Sequence, residues 1–326
     1  ESKSKLDKDI QAKKNAVEKE IEIEITKAQK EIIELKKNSI SDIQNISKDL
    51  ASIIIEKISG DKLNESSIKA TIEDISKKLN QSSVKIPERI LVTDNLPSDE
   101  WHGWKWLRHD YNGKLYTNVG APCNVCLRDD QRYASILRLN EGSWDYVARG
   151  VRNSVGFDFH PVSKKLFFTD NGRDWLGDDS PSCELNRLDS DGQFFGFPYM
   201  HARNVADPEF GNLSPGYDFV PPISELGAHV APTGMIFYTG NLFKEYKNNI
   251  FITLHGSWNR SSKVGYKVIR VVLDDEGNVS KKLDFISGWL KNEKVSGRPA
   301  APFMMQDGSL LIADDKANLI YRITPK

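Results

Sequence analysis

DGSLLIADDKANLIYRI, residues 307–323, reads as a hairpin. The polar turn Asp307-Gly308-Ser309 feeds the apolar run Leu310-Leu311-Ile312, and Leu319-Ile320-Tyr321-Arg322-Ile323 returns after an acidic turn. Short apolar and aromatic runs between Gly- and Asp-bearing turns predict antiparallel strands. The scheme recurs upstream. Asn112-Gly113-Lys114-Leu115-Tyr116-Thr117, Ser163-Lys164-Lys165-Leu166-Phe167-Phe168 and Lys247-Asn248-Asn249-Ile250-Phe251-Ile252 each set a polar turn before a strand. Units of roughly 40 to 60 residues built this way predict the blades of a β-propeller, with a β-sandwich as the alternative. The most crowded closing loop lies in LFFTDNGRDWLGDD, residues 166–179, where Asp170, Asn171, Arg173, Asp174, Asp178 and Asp179 surround Gly172 and Gly177. Such a loop either holds a metal or oxygen-rich ligand, or is a solvated turn that reverses the chain.

The hairpin pattern does not extend upstream of residue 85. Residues 1–80 contain one glycine, no proline, no aromatic residue and sixteen isoleucines. All 31 aromatic residues lie at or beyond Trp101, and the first proline is Pro87. The predicted division is a helical segment over 1–81 and a β-propeller domain over 82–326. Ile10, Ile21, Ile32, Ile43 and Ile54 fall at constant steps of eleven, and Leu6, Val17 and Ala28 share that step. A period of about 3.67 residues per turn predicts a right-handed supercoil. A helix this polar needs a partner helix along its stripe, so a helical partner is expected through residues 6–54. Helix breaks are expected at Asn38-Ser39 and Ser59-Gly60-Asp61, with a short amphipathic piece from Ser67 to Leu79.

A net charge of -1 leaves no basic footprint for nucleic acid. No apolar run reaches the roughly 18 residues of a membrane span, and residues 1–20 carry no secretory signal pattern. The chain starts at Glu1, so a processed product or a fragment is expected. Cys123-Asn124-Val125-Cys126 reads as a redox dithiol, half of a zinc site or a structural disulfide. A tetrahedral thiolate set would need a second pair, and Cys183 stands alone, which leaves a structural role as the expectation.

Eight motifs carry one family resemblance, and residues 1–80 carry a second. WHGWKWL (101–107), GAPCNVC (120–126), GVRNSVGFDFHP (150–161), TDNGRDWLGDDSPSCELNRL (169–188), GMIFYTG (234–240), HGSWNRSSKVGYKV (255–268), GRPAAP (297–302) and residues 307–323 stand in order. Together they resemble the soluble pyrroloquinoline quinone (PQQ)-dependent glucose/sorbosone dehydrogenases. Residues 1–80 resemble the b-type peripheral-stalk subunit of a rotary ATP synthase, without that family's membrane span.

The first resemblance implies a six-bladed propeller with PQQ and calcium, Ca2+, on one face. It implies hydride transfer from a sugar C1 to the quinone, with a neutral histidine taking the hydroxyl proton. It places the base at His102 and a second catalytic residue at Arg152, with Asn153 and Asn171 as cofactor-binding residues beside it. In the loop after Asp170 the carbonyls of Gly172 and Arg173 ligate calcium. Arg260, Lys263 and Arg298 are then cations for the PQQ carboxylates. One branch of the family has proline where Arg173 stands. About 240 residues supply about five blades, so the six-bladed ring is expected to be incomplete. The implied partners are a sugar and an electron acceptor. The implied location is periplasmic, or the cytoplasmic face of a membrane if the stalk segment dictates. A non-catalytic stalk module fused to a truncated propeller, and a calcium-dependent propeller lactonase, are the alternatives; a fused reading frame or a fragment would join the two resemblances.

Overall fold

The structure, a computed structural model, describes residues 90–325 continuously, together with Lys19, Ile23, Thr26, Lys27, Lys30, Glu31 and Glu34. Those seven are helical and exposed. The eleven-residue stripe, the expected helix breaks and the piece from Ser67 to Leu79 lie outside the described residues. The chain divides into two units, Glu1–Ile90 and Leu91–Lys326.

The second unit is built of strands. The first sheet takes β1 (Leu107–His109), β2 (Leu115–Val119), β3 (Ser135–Asn140) and β4 (Ser143–Arg149) in antiparallel order. The second begins with β5 (Phe157–Phe159), β6 (Leu166–Asp170) and β7 (Ser182–Arg187). Then β8 (Gln193–Phe194) returns to pair with β4 in parallel, and β9 (Met200–His201) with β10 (Val205–Ala206) forms a ribbon. The strand β11 (Ser224–Ala228) completes the second sheet beside β7. The third sheet runs β12 (Pro232–Phe237), β13 (Ile250–Leu254), β14 (Lys267–Leu273) and β15 (Val279–Ile286). After the ribbon of β16 (Leu290–Lys291) and β17 (Lys294–Val295), the last sheet holds β18 (Pro299–Met304), β19 (Leu310–Asp314) and β20 (Leu319–Ile323). Both halves of the opening stretch are therefore strands, paired from Leu310↔Ile323 to Asp314↔Leu319.

Three apolar wedges join the four sheets face to face. In β6, Leu166 and Phe168 enter the wedge toward the first sheet, while Phe167 enters the wedge toward the third. Likewise Ile250 and Ile252 of β13 face the second sheet and Phe251 faces the last. Alternate residues point to opposite faces of a strand, so a strand covered on both faces reads as a continuous apolar run. The strand β12 packs between β5 and β18, so the first strands of these sheets lie side by side. This is a propeller-like all-β array.

The described residues form four sheets of three strands or more rather than five. Residues 189–223 form β8, the small ribbon, a 3-10 turn at Gly211–Leu213 and loops, because they carry no second copy of the turn-then-apolar scheme. The first and last sheets keep apolar side chains in solvent, among them Leu107 (61%) and Phe303 (57%).

Candidate active site

In each sheet the second strand ends at the same edge of the array: β2 at Val119, β6 at Asp170, β13 at Leu254 and β19 at Asp314. All the site residues expected from the motifs lie in the loops at this edge or in the segments leading into the first strands.

The segment before β1 carries His102 at φ 51°. Its Nδ1 lies 2.6 Å from the carbonyl oxygen of Ala121, close enough that Nδ1–H must donate there. The other nitrogen, Nε2, is then the unprotonated one, and it has no partner among the described residues. Burial, then the charge of Arg152, lowers the imidazole pKa to about 4, against the opposing pull of the Ala121 carbonyl. The ring is neutral throughout the ordinary pH range. Gly120 is required beside it: a Cβ there would sit 2.5 Å from the His102 Cβ and 3.2 Å from Asn153 Oδ1. That Oδ1 is buried and lacks a hydrogen-bond donor.

Arg152 is 4% exposed and fully engaged. Its Nε donates to Asn124 O at 2.8 Å, Nη1 to Asn171 O at 3.1 Å, and Nη2 to Asn124 Oδ1 and Asp174 Oδ2 at 2.9 and 3.2 Å. Asn124 sits between Cys123 and Cys126, which are joined in a disulfide. Asn124 Oδ1 also accepts from the Asp174 N–H at 2.8 Å, so this small covalent loop ties Arg152 to the acidic loop. Behind both, Asp170 accepts from the N–H groups of Arg152 and Asn153 at 2.8 and 2.6 Å. Burial pushes the Asp170 carboxyl up to about 7 against those donors.

The crowding of carboxylates in 166–179 now has a physical account. Asp170 clamps the chain before β5, and Asp174 pairs with Arg152 and accepts from Asn259 at 2.6 Å. Asp178 accepts from the Ser261 N–H at 3.1 Å, and Asp179 pairs with Arg260 at 2.9 Å. Among the described residues no cluster of three His, Cys, Asp or Glu could hold a metal. The backbone offers a different ligand set. The Arg173 side chain turns away to the buried Asp207, which also accepts from His201 at 2.8 Å. Among the described residues no donor engages the carbonyl oxygens of Gly172 and Arg173. Behind Gly172 lies the buried thiol of Cys183, pushed up to about 11 by burial despite N–H donors from Gly172 and Ala231.

Asn171 bridges the sheets, its Nδ2 donating to Asn153 O at 3.0 Å and Pro232 O at 2.9 Å. One residue back along the chain, the Ala231 carbonyl accepts from the His255 N–H at 2.9 Å. Arg298 closes the line, donating from Nε to His255 O at 3.1 Å and from Nη2 to Gly256 O at 2.5 Å. Its Nη1 has no partner among the described residues. A hydrogen-bonded line therefore connects Asn153, beside His102, to Arg298. Arg260 is held by Asp178, Asp179 and Ser262. Lys263 pairs with Glu293 at 3.6 Å, and among the described residues no bond joins it to that line.

Sequence reasoning missed Asn124, His229 and Asn259. His229 Nε2 bonds Gly177 O at 2.8 Å, and its Nδ1 lies 3.2 Å from Asn259 Nδ2. The spacing CNVC marked the first of these and the 255–268 motif contained Asn259, both without their roles; His229 carries no signal beyond lying in a loop.

Comparison with known proteins gives these residues a setting. The sequence profile of a family described as TrAA12-like matches residues 214–324. The calcium structure of the Trichoderma reesei carbohydrate-active enzyme of family AA12 has a TM-score of 0.55 at 19% identity, covering 67% of each chain. The holo form of the pyranose dehydrogenase PQQ domain from Coprinopsis cinerea has a TM-score of 0.55 at 20% identity, covering 70% of this chain and 71% of that one. At these identities the likeness is one of fold. ATP synthase subunit b of Pelagibacter ubique is 35% identical over 78 residues, 24% of this chain, and the match spans 44% of that subunit. An uncharacterized protein of Borreliella burgdorferi is 41% identical over 265 residues, 78% of this chain and 69% of its own length. The chain belongs to the family of that Borreliella burgdorferi protein, and its strands carry a TrAA12-like, sugar-dehydrogenase-like fold.

Proposed function

We propose that residues 82–326 are a PQQ- and calcium-dependent dehydrogenase domain that oxidises a sugar or a related alcohol or aldehyde. The observation that carries this reading is His102: a neutral imidazole with Nδ1–H committed to a carbonyl and Nε2 left free. A base of this kind takes a proton at Nε2 from a substrate hydroxyl as the C–H bond beside it breaks. Burial, joined by the charge of Arg152, keeps the ring unprotonated between turnovers, and the disulfide loop keeps Arg152 in place.

The residues present fit the two groups that the related structures are named for. Asn153 Oδ1 is a buried acceptor without a donor, and Arg298 Nη1 is a cationic donor without an acceptor. Arg260, with two carbonyl partners and one carboxylate, would add positive charge for the cofactor carboxylates. The carbonyls of Gly172 and Arg173 would serve as oxygen ligands for calcium, a hard cation that accepts backbone oxygens. When bound, the quinone supplies the two-electron acceptor and calcium makes it more electrophilic. An electron acceptor must then reoxidise the site. Oxidation outside the cytoplasm, in the periplasm, goes with this reading.

For residues 1–81 the matching proposal is a stalk-like helix that pairs through residues 6–54, supported by the partial likeness to subunit b. The test of the dehydrogenase reading is to mix purified protein with PQQ and calcium and follow sugar-dependent reduction of a dye. Folded protein that binds no PQQ overturns it. A calcium lactonase, which relies on carboxylate ligands, is disfavoured by the acidic loop, whose aspartates are committed to cations and backbone donors.

A further inference from the structure

Three arginines border the loop after β6, and each has its own carboxylate. Arg152 pairs with Asp174 at 3.2 Å and Arg260 with Asp179 at 2.9 Å, both carboxylates belonging to the loop itself. Arg173 pairs instead with Asp207, 34 residues further along the chain. The side chains of this third pair are deeply buried, Arg173 at 11% exposure and Asp207 at 0%. Asp207 lies just before the Gly211–Leu213 turn, in the stretch that departs from the sheet pattern. Its Oδ1 accepts from the N–H groups of Glu209 and Phe210, each at 2.8 Å, and its own N–H donates to Tyr199 O at 2.9 Å. Its Oδ2 is shared by Arg173 and by His201, whose Nε2 lies 2.8 Å away. The carboxylate is thus fixed by its neighbours without help from Arg173. Among the described residues the Arg173 guanidinium has no other acceptor, and its Nε is buried without a partner.

A guanidinium does not shed its proton in the ordinary pH range, so Arg173 brings a permanent positive charge to the loop. In a partly dry setting such a charge repels a divalent ion across several ångströms. The loop's own aspartates do not answer it, since Asp170, Asp174, Asp178 and Asp179 are committed to other donors. We propose that Asp207 is the counter-charge that lets the Gly172–Arg173 backbone accept a divalent cation, an inference that rests on the calcium reading above. Asp207 is a positioning residue: it acts through Arg173, holding the guanidinium in a buried pair and cancelling its charge toward the carbonyls. The irregular stretch 189–223 supplies this carboxylate, so the departure from regular strands there serves the loop of the neighbouring sheet.

The test titrates calcium chloride into the full chain by isothermal titration calorimetry, with PQQ present and again without it. Asp207→Asn keeps Oδ1 for the Glu209 and Phe210 N–H groups and removes the charge, and calcium affinity falls about 10- to 100-fold. Arg173→Met removes the guanidinium, and affinity equals or exceeds that of wild type. The double variant returns to within about threefold of wild type, because the charge that Asp207 answers is gone. A merely structural brace would not be rescued in this way. Calcium affinity within about twofold of wild type in Asp207→Asn overturns the proposal. So does a double variant as weak as Asp207→Asn, which would make Asp207 a prop for the backbone alone. Where Asp207→Asn does not fold, Arg173→Met decides: a loss of about tenfold or more in calcium affinity there overturns the counter-charge, and retained or tighter binding supports it. Calcium uptake that is blind to Asp207→Asn removes the counter-charge and leaves the dehydrogenase reading standing. Wild type that takes up no calcium in either condition removes both, so the two failures are distinguishable.

Discussion

The corner around Arg152 and the corner around Arg298 are built to one plan. In each, an arginine precedes the first strand of a sheet, and its N–H is clamped by an aspartate at the end of the second strand: Asp170 in one, Asp314 at 2.8 Å in the other. In each, Nε reaches back to a carbonyl in the loop after the second strand of the preceding sheet, Asn124 or His255. The plan diverges in what is left over. Every nitrogen of the Arg152 guanidinium is committed, and the disulfide loop seals it; Arg298 is half-buried and keeps Nη1 unpaired. The two carboxylates diverge too. Burial drives Asp170 up to about 7, whereas burial at Asp314 is outweighed by the Arg298 and Ala317 N–H groups and Tyr321, which hold it below the usual range. A repeated frame thus yields one cation whose charge acts on the His102 imidazole and one that, among the described residues, keeps a donor open.

The largest expected effect breaks the first corner. Arg152→Met leaves Asp174 without its buried partner and costs about 3–5 kcal/mol, read as a drop in the urea midpoint. Arg152→Lys does not restore it, because an ammonium cannot reproduce the fork. Arg298→Met shifts the urea midpoint little but weakens PQQ binding by about 1.5–3 kcal/mol, the value of a charged hydrogen bond. Equal stability losses at the two corners would erase the distinction. Reducing the Cys123–Cys126 disulfide, which only the first corner possesses, removes about 2 kcal/mol or less for so short a loop, measured as a lower Tm in reductant.

The smallest effect is on pH dependence. With His102 as the base of the proposed reaction, kcat/KM stays flat from neutral pH downward and falls only as pH drops through about 4. An inflection near the ordinary imidazole range would show that Arg152 and burial do not govern the ring. The same sign holds for stability. The folded chain disfavours the charged ring, so this contribution is present above the ordinary imidazole range and is lost as pH falls through about 4.

Strands and their order were legible because a hairpin writes itself locally: turn, apolar run, turn. The number of sheets was less so. Counting residues per blade predicted five, but residues 189–223 go into loops, which length alone does not reveal. Of the candidate site, the shared edge on which His102, Asn153 and Arg298 lie was legible through their motifs. The duty of Arg152 was not, since its main partner is a backbone carbonyl 28 residues earlier, and carbonyls leave no trace in sequence. The aspartates of 166–179 were legible as a crowded loop, yet the partners that give them a bracing role, Asn259 and Ser261, lie more than eighty residues on.

The sulfur of Cys183 gives the acidic loop a built-in clock. A buried thiol that stays protonated, with Gly172 and Ala231 donating to it, meets an alkylating reagent only when the packing around it opens. The rate at which native protein takes up one label therefore reports openings around the proposed calcium loop, and any ion that closes the loop would slow it.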